Sequence, residues 1–293
     1  MSLTADTEGA PRRLPTLLAR LTGDWPLIAP MGLLFVGFFL GPLVLLVWVS
    51  LHNDQDMTVL GTAMWVRFLS DPFYWNVVFD TLMLGFKTVA LALVLGFATG
   101  LIYLSAGPRA RSVLTFVIVL PLLLSVVVRT FAWIVILGNE GLVNSAILSL
   151  GLSATPLRLL QTELGLVISL AQIELPLMLL PLLSVMGRID PNLIDASVSL
   201  GASRWRTMAR VILPLSVPGL IAGSLLVFAS STAAFISQSV IGGGRLIYMP
   251  LVIWQQALVV YDWPFAAVVS LALLITVLGV LALISALGRL ARN

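Results

Sequence analysis

Long apolar runs constrain this chain more than any other feature of its sequence. Residues 25–51 contain no charged side chain, and a helix needs only about 20 apolar residues to cross the hydrocarbon core of a bilayer. The run is also longer than the apolar part of a cleavable signal peptide. Over all 293 residues, 59% of side chains are hydrophobic and 10% are charged, whereas soluble domains carry about 25% charged residues. We therefore expect an all-α membrane protein with a retained polar tail at 1–26.

The apolar segments predict six membrane-spanning helices. Their predicted bounds are 27–49, 79–104, 112–137, 164–187, 211–238 and 264–287. Together they form one membrane domain over 27–288, and a short polar tail follows at 289–293. A polar, arginine-rich segment at 188–210 separates the fourth and fifth spans. We call this segment the insert.

The basic residues predict how the chain is oriented, because Arg and Lys accumulate in cytoplasmic segments of membrane proteins. The N-terminal tail has three, the turn at 105–111 has two, the insert has four and the C-terminal tail has two. Each of the three other connecting segments, 52–78, 138–162 and 239–262, has one. Both termini and the insert are therefore expected to face the cytoplasm.

The sequence excludes several kinds of site. It has no cysteine and one histidine, His52, which removes thiolate metal sites and histidine-based clusters. An ATP-binding P-loop needs a Gly-Lys-Ser/Thr step, but the only lysine, Lys87, follows Phe86 inside an apolar run. The net charge of +3 is explained by orientation in the membrane. We expect no catalytic residue, metal, cofactor or nucleic acid, and we expect ATP to bind to another subunit.

Polar side chains within the predicted spans are candidates for a solute path, because charge near the bilayer centre costs about 2.5–3.5 kcal/mol. Glu174 lies near the middle of the fourth span. Either it lines a water-filled path and attracts a cation, or it pairs with Lys87 or Arg129 and fixes helix packing. For Lys87 a structural role is favoured, and for Arg129 an interfacial position competes with solute contact. Gln238, at the end of the fifth span, completes the candidate set.

Five prolines in the third, fourth and fifth predicted spans are expected to break helical hydrogen bonds, namely Pro121, Pro176, Pro181, Pro214 and Pro218. A proline removes a helical hydrogen bond, so in lipid the freed carbonyl needs a neighbouring group or water in a cavity. Four of the five lie in the fourth and fifth spans, which are therefore predicted to line the path. Simple kinks for helix packing are the alternative for any single proline.

The insert is expected to contain two short helices. Pro191 suits the first turn of a helix, and Asp195 lies toward the positive end of its dipole. Gly201 is expected to break this helix after about two turns, and Ser203 to cap a second helix that runs through Arg210. Small side chains on the first helix permit close approach by another surface, which is typical of a docking site.

The insert resembles the EAA loop of the permeases of binding-protein-dependent ABC importers. The matching residues are Asp195-Ala196-Ser197, then Gly201, and later Ile212-Leu213-Pro214, with Asp in place of the usual Glu and Ser in place of the second Ala. The resemblance implies a type I permease fold in which a short coupling helix docks into a cytoplasmic ATPase. It assigns the contact with the ATPase to Asp195, Ala196, Ser197, Gly201, Ala202 and Arg204.

Two further stretches resemble spermidine/putrescine permeases. They are Val128-Arg129-Thr130-Phe131-Ala132-Trp133 and Asp262-Trp263-Pro264-Phe265-Ala266-Ala267. The resemblance implies a polyamine or a similar cation as solute, with an opine, an amino-acid-like compound or an aminophosphonate as the alternative. It implies a location in the bacterial inner membrane and three protein partners: cytoplasmic ATP-binding subunits, a second related permease subunit in a homo- or heterodimer, and an extracytoplasmic solute-binding protein.

An ion-coupled secondary transporter is the alternative from another class. Such a protein is expected to show an internal repeat and an intramembrane carboxylate with a partner. The sequence shows no clear repeat, and this alternative gives the insert no role. A test for an associated ATPase separates the two classes.

Overall fold

The computed structural model describes residues 25–290 and is almost entirely helical over that range. Its helices are α1 (Trp25–Ser50), α2 (Ala63–Ser70), α3 (Pro72–Ser105), α4 (Pro108–Val119), α5 (Val126–Leu137), α6 (Leu142–Ser149), α7 (Glu163–Met186), α8 (Pro191–Ser199), α9 (Arg204–Thr207), α10 (Leu213–Thr232), α11 (Phe235–Gly242), α12 (Met249–Leu258) and α13 (Trp263–Leu290). Most of the two predicted tails, residues 1–24 and 291–293, lies outside the described residues.

Within the described range, six stretches are long and apolar enough to cross a bilayer. They are Ala29–Ser50, Pro72–Ser105, Val126–Ser149, Glu163–Met186, Arg204–Thr232 and Trp263–Ala286. Their number confirms the prediction of an all-α membrane fold with six spans. Because successive spans emerge on alternate sides, we call the side where the insert emerges the insert side, and the other the opposite side.

Contacts along the chain define two units that divide after Val49. The first unit contains α1, an apolar helix that includes Pro30 and Pro42. The second unit begins at Ser50 and contains all the other helices. The core and the candidate sites described below lie within this second unit.

Three helices, α3, α7 and α10, pack against one another at the centre of the second unit. Of the six spans, α7 is the most buried, and its side chains Leu166, Leu170 and Met178 are fully buried. Since lipid-facing positions are few on α7, a polar residue on this helix faces protein or a cavity. This position gives the intramembrane carboxylate at Glu174 a protein environment.

Glycines allow α10 to approach α7 closely. A Cβ atom at Gly219 would lie 2.9 Å from the Cα of Leu182, and one at Gly223 would lie 2.8 Å from the carbonyl oxygen of Met178. On α3, a Cβ at Gly96 would lie 2.7 Å from the Cγ of Met178. Small residues at helix contacts are typical of membrane bundles, because they let the backbones come together.

Replacing Gly219 with alanine is expected to destabilise the bundle by about 1–3 kcal/mol, because overpacking forces backbone shifts. The added methyl group would collide with the backbone of α7. The midpoint of thermal unfolding of the detergent-solubilised chain measures this effect. Gly279→Ala is the matched control, since a Cβ at Gly279 has no atom within 4 Å. Equal midpoints for the two variants would contradict the packing described here.

The third span is not the single helix predicted at 112–137. Between α4 and α5 the chain forms a 3₁₀ turn at Leu120–Leu123. Pro121 lies in this turn and has no amide hydrogen for a helical bond. Ser125 then starts α5 by accepting a hydrogen bond from the Val127 amide at 3.3 Å. The prediction of one continuous helix was therefore wrong at its centre.

The second span begins earlier than the predicted 79–104. The helix α3 starts at Pro72, and Asp71 caps it by accepting a hydrogen bond from the Phe73 amide at 2.9 Å. An aspartate that directly precedes a proline satisfies the first amides of a helix in this way. The segment predicted as a loop at 52–78 therefore contains α2 and the first turns of α3.

The fifth span, predicted over 211–238, is also interrupted. The helix α10 ends at Thr232 and α11 begins at Phe235. Between them, Ala234 has φ −75° and ψ 62°, which is outside the helical region. The third and fifth spans are thus both interrupted inside the segment that was predicted to cross the membrane as one helix.

Candidate functional site

The first helix of the insert is α8, Pro191–Ser199. Asp190 caps it by accepting a hydrogen bond from the Asn192 amide at 2.9 Å. The helix ends before Gly201, whose φ of +80° is a left-handed conformation that glycine adopts most easily. The predicted start and break are confirmed. The cap was missed, although an aspartate before a proline is a recognisable N-terminal signal.

The second half of the insert leads directly into α10. Ser203 caps α9, as predicted, by accepting a hydrogen bond from the Arg206 amide at 3.4 Å. A π-helical turn at Met208–Ile212 then joins α9 to α10 without interruption. The insert is therefore continuous with one of the three core helices.

A side-chain hydrogen bond joins the two helices of the insert. The hydroxyls of Ser197 and Thr207 lie 2.9 Å apart, and Thr207 is buried. Ser197 therefore contacts its own chain, whereas Asp195, Ala196 and Gly201 are exposed. Sequence reasoning missed Thr207, because no pattern pairs it with a serine ten residues earlier.

The exposed surface of the insert combines apolar and basic side chains. Leu200 is 88% exposed and Trp205 is 73% exposed. Ala202 is half-buried, and the exposed arginines around it are Arg204, Arg206 and Arg210. Large exposed apolar side chains on a polar segment indicate a surface that another molecule covers. The sequence reasoning had assigned this surface to Asp195 and to small and basic residues, and it had not included Leu200 or Trp205.

A pocket of about 430 Å³ lies beside Glu174, midway along the 24 residues of α7. Glu174 is only 7% exposed. At a rise of 1.5 Å per residue it lies roughly 16 Å along the helix from Glu163, the first residue of α7. Ser230 and Ser237 also line the pocket. The carboxylate is therefore midway along a helix long enough to span a bilayer.

The two helix interruptions meet at this pocket. Val126, the first residue of α5, lines it together with Ala233 and Ala234, which separate α10 from α11. Non-helical backbone at membrane depth is tolerated only where protein or a water-filled cavity satisfies its peptide groups. Two interrupted helices and a carboxylate at one depth make this pocket the candidate translocation path.

Arg129 is anchored on α7. Its Nη1 donates a hydrogen bond to the carbonyl oxygen of Ile173 at 2.8 Å, three residues before Pro176. Its Nε is buried and has no hydrogen-bond partner among residues 25–290. The guanidinium is close enough to Glu174 for their charges to interact. The described residues nevertheless show no ion pair between them within 4.0 Å.

Gln238 is buried on α11, just after the end of α10. Its Nε2 donates to the carbonyl oxygens of Ser231 and Thr232 at 2.9 and 3.3 Å. These are carbonyls of the last turn of α10, where the interruption ends the regular pattern of helical hydrogen bonds. The side-chain oxygen of Gln238 has no hydrogen-bond partner in the described part of the chain. The contacts of this candidate path residue therefore stabilise the helix interruption.

Lys87 forms an ion pair with Glu163, not with Glu174. Both side chains of the pair are about half exposed. The pair lies at the start of α7, on the opposite side, and it joins α3 to α7. Of the two partners considered for Glu174 in the sequence, Lys87 is thus engaged elsewhere, and Arg129 is its charged neighbour.

Residues 92–290 match the family described as Binding-protein-dependent transport system inner membrane component. The spermidine/putrescine transport system permease protein PotB of Haemophilus influenzae is 33% identical over 205 residues, which are 70% of this chain and 72% of PotB. The inner membrane ABC transporter permease protein YdcU of Escherichia coli K12 is 27% identical over 279 residues, covering 89% of this chain and 88% of YdcU.

Solved structures show the same fold. A chain of a bacterial ABC transporter that imports the acidic polysaccharide alginate superimposes with a TM-score of 0.72 at 18% identity, over 93% of this chain and 98% of the other. A chain of the MetNI methionine ABC transporter superimposes with a TM-score of 0.53 at 18% identity, over 76% and 97%. The chain belongs to the family of binding-protein-dependent transport system inner membrane components and is a multi-pass permease subunit of an ABC importer.

Proposed function

We propose that the chain forms the translocation path for a polyamine or a similar organic cation in an ATP-driven importer of the bacterial inner membrane. The observation that carries the proposal is the buried Glu174 carboxylate beside a pocket, midway along a helix long enough to span a bilayer. A fixed negative charge there lowers the cost of moving a cation through a medium of low dielectric constant. The names of the PotB relatives support a polyamine as solute.

The proposed partners are two cytoplasmic ATP-binding subunits, a second permease subunit and an extracytoplasmic solute-binding protein. The insert supports the first, because it exposes Leu200 and Trp205 on a polar segment that continues into α10 without interruption. A related fold is known for the alginate transporter in complex with a periplasmic protein that binds an alginate pentasaccharide. The excess of arginine in the insert supports a cytoplasmic insert side and an extracytoplasmic opposite side.

A zwitterionic solute, such as an aminophosphonate or an amino-acid-like compound, is the second candidate. The observation that favours it is Arg129, which lies near Glu174 without pairing with it within 4.0 Å in the described structure. Its Nε is buried without a hydrogen-bond partner in the described range. A guanidinium and a carboxylate that are near each other but not joined in an ion pair suit a solute that carries both an acidic group and an ammonium group.

Uptake into proteoliposomes tests the proposed function. The chain is reconstituted with its ATP-binding subunits, second permease subunit and binding protein, and uptake of labelled spermidine, putrescine and 2-aminoethylphosphonate is measured. We expect uptake of an ammonium compound that requires ATP and persists when ionophores collapse all ion gradients. Uptake that stops with the ion gradients and ignores ATP would instead identify a secondary transporter.

A further inference from the structure

A second pocket lies on the opposite side, between the beginnings of α3 and α7 and the segment that precedes α12. Its volume is about 370 Å³. The residues relevant to its chemistry are Phe73, Asn76, Asp80, Glu163, Arg245 and Tyr248. None of them belongs to the mid-membrane pocket beside Glu174.

Tyr248 lines this pocket and carries a hydroxyl group that has no hydrogen-bond partner in the described part of the chain. The residue is only 4% exposed, yet its hydroxyl makes no hydrogen bond among residues 25–290. Burial, with the nearby Glu163 and Asp80 carboxylates, raises the pKa of Tyr248 above its usual range. The phenol therefore stays neutral, and its oxygen is available to accept a hydrogen bond from a ligand.

Asp80 is the free carboxylate of the pocket. In the described part of the chain it forms no ion pair and no side-chain hydrogen bond. Glu163, by contrast, is paired with Lys87. Arg245 also lines the pocket, and it forms no ion pair with Asp80 within 4.0 Å. The pocket thus presents an unneutralised carboxylate, a phenol oxygen and the ring of Phe73.

We propose that this pocket binds the ammonium group of the transported solute on the opposite side of the membrane, before the solute moves to Glu174. The proposal rests on the proposed function. The Asp80 carboxylate and the Tyr248 oxygen accept N–H hydrogen bonds, and the face of the Phe73 ring provides a cation–π contact. An ammonium group has only donors to offer, and these groups supply acceptors.

The geometry of α7 relates the two pockets. Glu163 and Glu174 are eleven residues apart, which brings them to the same face of the helix, roughly 16 Å apart along its axis. Between them, Leu166 and Leu170 are fully buried in an apolar cluster with Ile241. Leu166 and Leu170 thus lie on α7 between the levels of the two carboxylates.

Direct binding to the complete transporter in lipid nanodiscs, without the solute-binding protein, tests the proposal. The probes are labelled spermidine, putrescine and 2-aminoethylphosphonate. We expect Asp80→Asn to weaken binding at least about tenfold, because a charge-assisted hydrogen bond is lost. Tyr248→Phe, which keeps the ring, should weaken binding about two- to tenfold. Asp56→Asn, an exposed change on the same side but outside the pocket, is the control and should bind as wild type.

The outcomes separate this proposal from the proposed function. One outcome is that the wild type shows ATP-driven uptake while Asp80→Asn and Tyr248→Phe bind every probe as the wild type does. That result would refute the ammonium site in this pocket and would leave the proposed importer function supported. Arg245→Gln distinguishes the solutes. Weaker binding of 2-aminoethylphosphonate supports an ammonium site used by a zwitterion, because the guanidinium then contacts the phosphonate. Unchanged binding of 2-aminoethylphosphonate, with spermidine binding unchanged or tighter, supports an ammonium site used by a polyamine. Weaker binding of all probes in Asp56→Asn would contradict the proposal.

Discussion

Replacing Gly201 with valine is expected to reduce ATP-driven uptake by about ten- to a hundredfold and to release the ATP-binding subunits during purification. Gly201 has φ +80°, and a β-branched residue in that conformation costs roughly 1–3 kcal/mol. The insert would relieve this strain by changing the angle between α8 and α9. Docking by a short helix depends on that angle, and each 1.4 kcal/mol changes a binding constant about tenfold.

A control with the same backbone strain separates loss of docking from general damage. Gly151 has φ +68° and open space around it, and it lies in the 138–162 segment away from the insert. Gly151→Val should therefore keep its ATP-binding subunits and its uptake. Wild-type levels of co-purified ATP-binding subunit and uptake in Gly201→Val would show that the shape of the insert does not govern coupling.

Replacing Glu174 with glutamine is expected to lower uptake of the cationic solute by about a hundredfold. The change keeps the size of the side chain and removes its charge. If the carboxylate stabilises a cation at the bilayer centre by about 2.5–3.5 kcal/mol, its loss raises the barrier by the same amount, and each 1.36 kcal/mol is about tenfold in rate. The measurement is the initial rate of uptake of labelled spermidine and putrescine in proteoliposomes.

The control for Glu174 is Glu140→Gln. Glu140 is exposed and lies outside the helices, so its loss should leave the rate unchanged. Co-purification of the ATP-binding subunits checks that Glu174→Gln still folds and assembles. Unchanged uptake of every cation tested in Glu174→Gln would contradict a role of the carboxylate in translocation. It would indicate that Glu174 has a structural role beside Arg129.

The six spans and the insert could be predicted from the sequence, because both depend on local composition. A long uncharged apolar run such as 25–51 is stable in lipid and not in water. In the insert, the backbone preferences of Pro191, Gly201 and Ser203 specify the start of the first helix, its end and the cap of the second helix. These features need no knowledge of distant contacts, and the structure confirms them.

The positions of the helix interruptions in the third and fifth spans could not be predicted from local composition. Pro176, Pro181 and Pro218 remain inside continuous helices, whereas the fifth span is interrupted at Ala233 and Ala234, which carry no sequence signal. The hydrogen bonds of Gln238 to the last carbonyls of α10 help to stabilise that interruption. Such contacts depend on the folded chain, and helix-breaking residues alone do not reveal them.

The ion-pair partners of the charged residues could not be predicted from the sequence either. Lys87 and Glu163 are 76 residues apart, and the sequence offered Glu174 as a partner for Lys87 because both lie in apolar spans. The position of each glutamate along α7 determines which one pairs with Lys87, since Glu163 begins the helix and Glu174 lies midway along it. The outer pocket around Tyr248 was missed for the same reason, because its residues come from three separate segments.

The most direct test of the account is cross-linking from the insert in intact membranes. The chain has no cysteine, so Ala196→Cys and Ala154→Cys each introduce a single reactive thiol, on the insert and in the 138–162 segment. We predict that Ala196→Cys cross-links to the ATP-binding subunit and is labelled by an impermeant maleimide only from the cytoplasmic side, whereas Ala154→Cys is labelled only from outside and does not cross-link. Labelling of Ala196→Cys from outside, or its failure to cross-link in an assembled transporter, would contradict the assignment of the insert as the coupling segment.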